Sequence, residues 1–95
     1  PFNELTTLAG LRSGFVTGKQ KDLLELERVL GSHGTTPWQR LEIDPTADGE
    51  TVRNAAMTSL ARWQRLAENP FTKHDLSVAA RVAIRTLEEI INVSE

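Results

Sequence analysis

Hydrophobic residues in the last third of the chain recur at the spacing of an α-helix. Leu76, Ala80, Ala83, Leu87 and Ile90 are separated by steps of 4, 3, 4 and 3 residues, so they fall on one stripe of a helix. Sustained strand-like alternation of apolar and polar residues is absent from the sequence. We therefore predict that this segment forms the central helix of the domain.

The residues before this stripe predict where the helix begins. Thr72 stands at a capping position with Asp75 three residues later, a shortened form of the capping box. Phe71 and Leu76 flank the cap at the spacing of a hydrophobic staple. We expect both contacts to fix the start of the helix.

A second strong helix is predicted over residues 49–68, with Asp48 placed to cap its start. Asn69-Pro70 predicts the end of this helix, because asparagine tolerates the left-handed conformation at a helix end and proline cannot continue the helix. The short link predicts that this helix and the last one pack as an antiparallel hairpin. Its inward stripe consists of Val52, Ala56, Leu60, Trp63 and either Leu66 or Ala67.

The first third of the chain predicts two shorter helices, with Arg12 facing solvent and Gly31 capping the end of the second. A connection over residues 32–48 follows, in which Thr36-Pro37 can open one helical turn that Trp38 and Leu41 pin onto the core. The stripe residues are Leu5, Leu8, Leu11 and Phe15 in the first helix, and Leu23, Leu26 and Leu30, with Leu24 beside them, in the second.

These elements predict a single all-α domain. The predicted fold is a four-helix bundle made of a first hairpin over residues 1–31, a long middle connection over 32–48 and a second hairpin over 49–95. The chain begins at Pro1 and not at a methionine, from which we expect a domain of a longer protein.

Composition narrows the classes of function. The net charge is −2, and residues 1–31 hold four basic and four acidic side chains against seven and nine in residues 32–95, so we expect no nucleic-acid partner. The absence of cysteine excludes disulfides and thiolate zinc sites. The longest apolar runs are three residues, which predicts no membrane span, and we expect a cytoplasmic location.

The stretch SGFVTGKQKD, residues 13–22, partly matches a phosphate-binding loop. Gly14 and Gly18 enclose three residues where that motif has four, and Gln20 stands where it requires a hydroxyl for Mg²⁺. We interpret both glycines as helix breakers, so no cofactor site is predicted here.

Metal and catalytic candidates are equally weak. The stretch DPTADGE, residues 44–50, begins like a calcium loop, but its twelfth position is Ala55 and not glutamate. His33 and His74 are 41 residues apart and have no cysteine to join them. A triad of Ser59, His74 and Asp75 has no supporting motif. We predict no metal ligand and no catalytic residue within this chain.

The second hairpin carries most of the arginine and offers a candidate partner surface. Arginine and tryptophan are favoured at interaction hot spots, and Arg81, Arg85 and Glu88 share one face of the predicted last helix. The alternative is that the tryptophan belongs to the core and the arginines form a solvated rim. The candidate surface consists of Arg62, Trp63, Arg81, Arg85 and Glu88.

The segment LARWQRLAENPFTKHDLSVAARVAIRTLEEII, with LRSGFVTGKQKDLLELERVL before it, resembles the helical C-terminal part of actinobacterial dynamin-like GTPases. The resemblance rests on Trp63, Pro70 and the Arg81–Arg85 pattern, and it covers about half the chain. It implies a bundle that follows a separate GTPase domain and mediates self-assembly or domain docking. None of that family's nucleotide-binding motifs is present, so no catalytic residue is carried over.

The sequence therefore predicts a non-catalytic helical interaction or assembly domain of a larger cytoplasmic protein, and the resemblance implies that this larger protein is a dynamin-like GTPase. Its partner is expected to be another domain of the same chain or a second copy of it. The alternative is a small standalone helical adaptor or dimeric protein-binding module.

Overall fold

A computed structural model describes residues 4–14, 18–32, 34 and 36–94, and the described chain is helical. Helices α1 and α2 form the first part, a short α3 lies in the middle, and the long α4 and α5 follow. The all-α prediction is confirmed. The described part contains five helices and not four, because the middle connection holds a helix of its own. The helices are α1 Glu4–Ser13, α2 Gln20–Val29, α3 Pro37–Leu41, α4 Gly49–Glu68 and α5 His74–Ser94.

Helices α4 and α5 pack along each other and make by far the largest helix–helix contact of the molecule. Helices α1 and α2 pack against α5, and α3 packs between α2 and α4. Every residue of the stripe predicted for α5 is buried. The core consists of Leu8, Leu26, Val29, Leu30, Val52, Ala56, Trp63, Leu76, Ala79, Ala80, Val82, Ala83, Leu87 and Ile90.

Local chemistry explains the bounds of α3 and α4. The Thr36 side chain accepts a hydrogen bond from the Gln39 backbone N–H, and the Gln39 side chain accepts one from the backbone N–H of Thr36, so a complete capping box opens α3. The Asp48 carboxylate accepts from the Thr51 backbone N–H and caps α4. The predicted helical turn at Thr36-Pro37 and the predicted bounds of α4 are confirmed.

The predicted start of α5 is wrong. The helix begins at His74, and the Thr72 hydroxyl donates to the carbonyl of Leu66 in the preceding helix, 2.7 Å away. Phe71 is 93% exposed and so cannot staple onto the core. The Thr72 side chain therefore ties the turn to the end of α4 instead of capping α5.

Smaller departures occur elsewhere. Asn69 ends α4 in an extended conformation and not in the left-handed one, because the following Pro70 disfavours helical backbone in the residue before it. The Asn69 side chain accepts a hydrogen bond from the Phe71 backbone N–H. Leu24 of α2 is 51% exposed, and Trp38 of α3 is 37% exposed. Leu41, and not Trp38, is the apolar residue of α3 that packs against the core. Phe15 and the side chains of Leu5 and Arg12 lie outside the described residues.

Candidate functional site

A groove runs between α4 and α5. The first half of α4 forms one wall and the last turns of α5 form the other. The groove has a volume of about 860 Å³ and is open to solvent. Its lining residues are Arg53, Asn54, Met57, Leu60, Glu88, Ile91 and Asn92.

The apolar part of the groove comes from three side chains. Met57 is 51% exposed, whereas Leu60 and Ile91 are half-buried and rest on the core. The helical spacing that turns Ala56 and Trp63 into the core places Met57 and Leu60 at the edge of the α4–α5 seam. A flexible, exposed methionine between two half-buried aliphatic residues is suited to contact another helix.

The groove carries opposite charges at its walls. Arg53 lies on α4 and Glu88 lies on α5. Neither residue belongs to the ion pairs found among the described residues. The groove therefore offers one cationic and one anionic side chain to whatever binds there.

The predicted partner surface is only partly assembled by the structure. Trp63 is 1% exposed, so it is a core residue and is removed from that surface. Arg62 turns toward α2 and not toward α5. Arg81, Arg85 and Glu88 are exposed on α5, and Glu88 alone of these lines the groove.

Arg62 joins α4 to α2 through two carboxylates. Its guanidinium group donates to Asp22 and to Glu25, while its central carbon lies 5.5 Å from the centroid of the Trp63 ring. The Ser59 hydroxyl also reaches Glu25, at 3.5 Å. These contacts hold the two halves of the molecule together, so Arg62 has a structural role here.

A second network surrounds the Glu4 carboxylate. Arg40 donates to it at 2.7 Å and also to the Val29 carbonyl at 3.0 Å, and the Thr86 hydroxyl donates to it at 2.5 Å. Burial by itself would raise the pKa of Glu4, but these hydrogen bonds and the charge of Arg40 hold that pKa below its ordinary value. One carboxylate thus connects α1, α3 and α5.

These networks account for a second cleft, of about 380 Å³, which lies among α2, α3 and α4. Arg28, Arg40, Arg62 and Arg65 line it. The first three of these arginines are paired with carboxylates, Arg28 with Glu42 at 2.6 Å. The cleft is therefore charge-balanced packing, and it has little capacity left to hold an anion.

Residues of the stretches that partly match a calcium loop and a phosphate-binding loop form turns and helix ends in the structure. Asp44 accepts hydrogen bonds from the backbone and the hydroxyl of Thr46, and Asp48 caps α4. These bonds lower the pKa of each carboxyl group. Gly14, from the stretch that partly matches a phosphate-binding loop, follows the end of α1 with a positive φ of 84°, a conformation that favours glycine.

The residues weighed as ligand or catalytic candidates in the sequence do not converge among the described residues. Ser59 faces Glu25, whereas His74 and Asp75 are exposed at the start of α5. His33 lies outside the described residues. Within the ranges that the structure describes, no cluster of three or more His, Cys, Asp or Glu side chains could hold a metal ion. Among the same residues, no helix has both the length and the apolar character needed to cross a bilayer.

Comparison with known proteins finds relatives of greater length. The isoniazid-induced protein IniC of two strains of Mycobacterium tuberculosis, CDC 1551 / Oshkosh and ATCC 25618 / H37Rv, is 32% identical to this chain over 90 residues. The matched part is 95% of this chain and 18% of the relative. The chain thus spans less than a fifth of the length of the curated relatives it matches. No family model and no solved structure matches it.

These comparisons contradict the predicted resemblance to actinobacterial dynamin-like GTPases. The relatives carry the name of an isoniazid-induced protein, and no matching family model or structure links the chain to that class. The features behind the prediction have simpler causes. Trp63 fills the core, Pro70 lies in the turn between α4 and α5, and the Arg81–Arg85 spacing is that of any exposed helix face.

Proposed function

We propose that this chain is a non-catalytic helical interaction domain of a larger, cytoplasmic protein. Its partner would be another part of the same polypeptide or a second copy of it. The observation that carries the proposal is the open groove between α4 and α5, with Met57 exposed between Leu60 and Ile91. We also propose that α1, α2, α4 and α5 work together as a four-helix bundle that presents this groove.

Three further observations support this role. The relatives contain the matching segment as 18% of a longer chain, which favours a module over the standalone adaptor. The net charge of −2 disfavours a nucleic-acid partner. The arginine and carboxylate side chains that lie together in the structure form ion pairs. These pairs stabilise the fold, and we propose no catalytic role for them.

Photo-crosslinking in the native cells tests the proposal. A photoreactive phenylalanine analogue is placed at position 57 of the full-length protein that carries this chain. Position 58 is the matched control, because Thr58 is exposed on α4 but lines the other cleft. We expect position 57 to form crosslinks that mass spectrometry maps to the same protein, with far fewer from position 58. Equal yields from the two positions, or none from position 57, would overturn the proposal.

A further inference from the structure

We propose that the groove between α4 and α5 binds a second copy of this chain, so that two hairpins meet face to face across a two-fold axis. This inference rests on the proposed function and names the partner. The feature that points to it is the presence of Arg53 and Glu88, with opposite charges, on the two walls of the same apolar groove.

The groove is self-complementary in charge, because it carries one cationic and one anionic side chain. In a two-fold contact the same patch meets on both subunits, so that residue i of one copy faces residue j of the other and the reverse. Arg53 of each copy can then face Glu88 of the other. Neither residue is used by the ion pairs among the described residues, so forming the two contacts across the axis breaks none of these pairs. A groove with charges of one sign would repel its own copy.

The apolar residues of the groove favour the same arrangement. Helices α4 and α5 pack against each other, α5 also packs against α1 and α2, and α4 packs against α3. Met57 is left half exposed in the groove between α4 and α5. Two antiparallel hairpins that meet at this groove would bring Met57, Leu60 and Ile91 of each copy together. Packed helices lie about 8–10 Å apart, and a flexible methionine adapts to fill such a gap.

The test reverses the charges of Arg53 and Glu88 in the full-length protein. Analytical ultracentrifugation over a range of concentrations then measures the mass of each variant and the Kd of its dimer. We expect a dimer whose Kd rises at least tenfold in Arg53→Glu and in Glu88→Arg, because each change puts like charges opposite each other. Combining the two changes should return the Kd to within about threefold of the starting value, since opposite charges again meet across the axis. Arg65→Glu is the control: it makes the same change of charge on α4 outside the groove and should leave the Kd unchanged. Circular dichroism verifies that each variant is folded.

The possible failures separate the two proposals. A protein that stays monomeric up to about 1 mM has no specific dimer interface, and that result would overturn the second copy as the partner. If position 57 still crosslinks to another part of its own polypeptide, the proposed interaction domain is retained, and the groove binds that part of the chain in place of a second copy. A dimer that responds equally to the Arg53 and Arg65 changes would likewise exclude this groove as its interface.

Discussion

Leu87 lies in the middle of α5 and is completely shielded from solvent. Truncating a buried leucine removes its transfer free energy and leaves a cavity, so Leu87→Ala should lower the free energy of unfolding by about 2–5 kcal/mol. Phe71→Ala is the control, because Phe71 is 93% exposed and its loss should change stability by less than about 0.5 kcal/mol. Denaturation in urea measures both. A small effect at Leu87 would mean that α5 does not form the core.

Glu4 predicts a pH dependence of stability. Its pKa is held below the ordinary value of 4.5 by Arg40 and Thr86, against the effect of burial. A carboxyl group whose pKa is lowered by folding stabilises the fold above its unfolded pKa, and this contribution is lost as the pH falls through the folded pKa.

The stability difference between the natural chain and Glu4→Gln should therefore be largest near neutral pH and should shrink as the pH falls below 4.5. Denaturation curves at several pH values measure this difference, and a carbon NMR titration of Glu4 should give a midpoint below 4.5. A midpoint above that value would show that burial outweighs the hydrogen bonds from Arg40 and Thr86.

At the scale of elements, the end of α2 depends on a glycine. Gly31 has a φ of 98°, and its N–H bonds the Arg28 carbonyl while the Ser32 N–H bonds the Glu27 carbonyl. This pattern is a Schellman motif, which satisfies carbonyl groups that the helix end would otherwise leave unpaired. A side chain at a left-handed position costs about 1–2 kcal/mol.

Gly31→Ala should lower the free energy of unfolding by about that amount, 1–2 kcal/mol. Gly49→Ala is the matched control. Gly49 starts α4 and is not among the glycines with positive φ, so alanine there should be neutral or slightly stabilising. Thermal unfolding of the two variants compares them directly. Equal losses at both positions would show that the left-handed cap of α2 is not what glycine provides.

The elements also show what the sequence can predict. The bounds of α4 follow from signals that lie within a few residues of its ends, Asp48 before it and Asn69-Pro70 after it, and the structure confirms them. The start of α5 was mispredicted although Thr72 and Asp75 matched a capping pattern. The Thr72 hydroxyl donates to the carbonyl of Leu66 in the neighbouring helix, and a local pattern cannot reveal a contact with another helix.

At the scale of the whole molecule, the contacts that join helices were invisible to sequence reasoning. Arg40 and Glu4 are 36 residues apart, and Arg62 lies 40 residues from Asp22. Periodicity identifies which face of a helix is apolar, but it does not give the register at which two helices meet. The groove between α4 and α5 was missed for the same reason, since Arg53 and Glu88 lie together only once the hairpin has formed.

Arg62 on α4 joins the two halves of the molecule through its ion pairs with α2. Asp22 and Glu25 on α2 have side chains only 14% and 16% exposed, and Arg62 on α4 forms an ion pair with each of them. Arg62→Met keeps much of the apolar contact but leaves two half-buried carboxylates without their cation. Such a loss falls between the cost of breaking an exposed pair and that of breaking a buried one, so we expect about 1–3 kcal/mol.

Arg65→Met is the matched control for this change. Arg65 is exposed on the same helix and takes no part in the ion pairs among the described residues, so its loss should cost less than about 0.5 kcal/mol. The Arg62 effect should also vary with salt, because added NaCl screens both the attraction that is lost and the repulsion that is left behind. Urea denaturation of the natural chain and both variants at low and high salt measures this. Equal, salt-independent losses at Arg62 and Arg65 would mean that apolar packing alone holds α2 against the long hairpin.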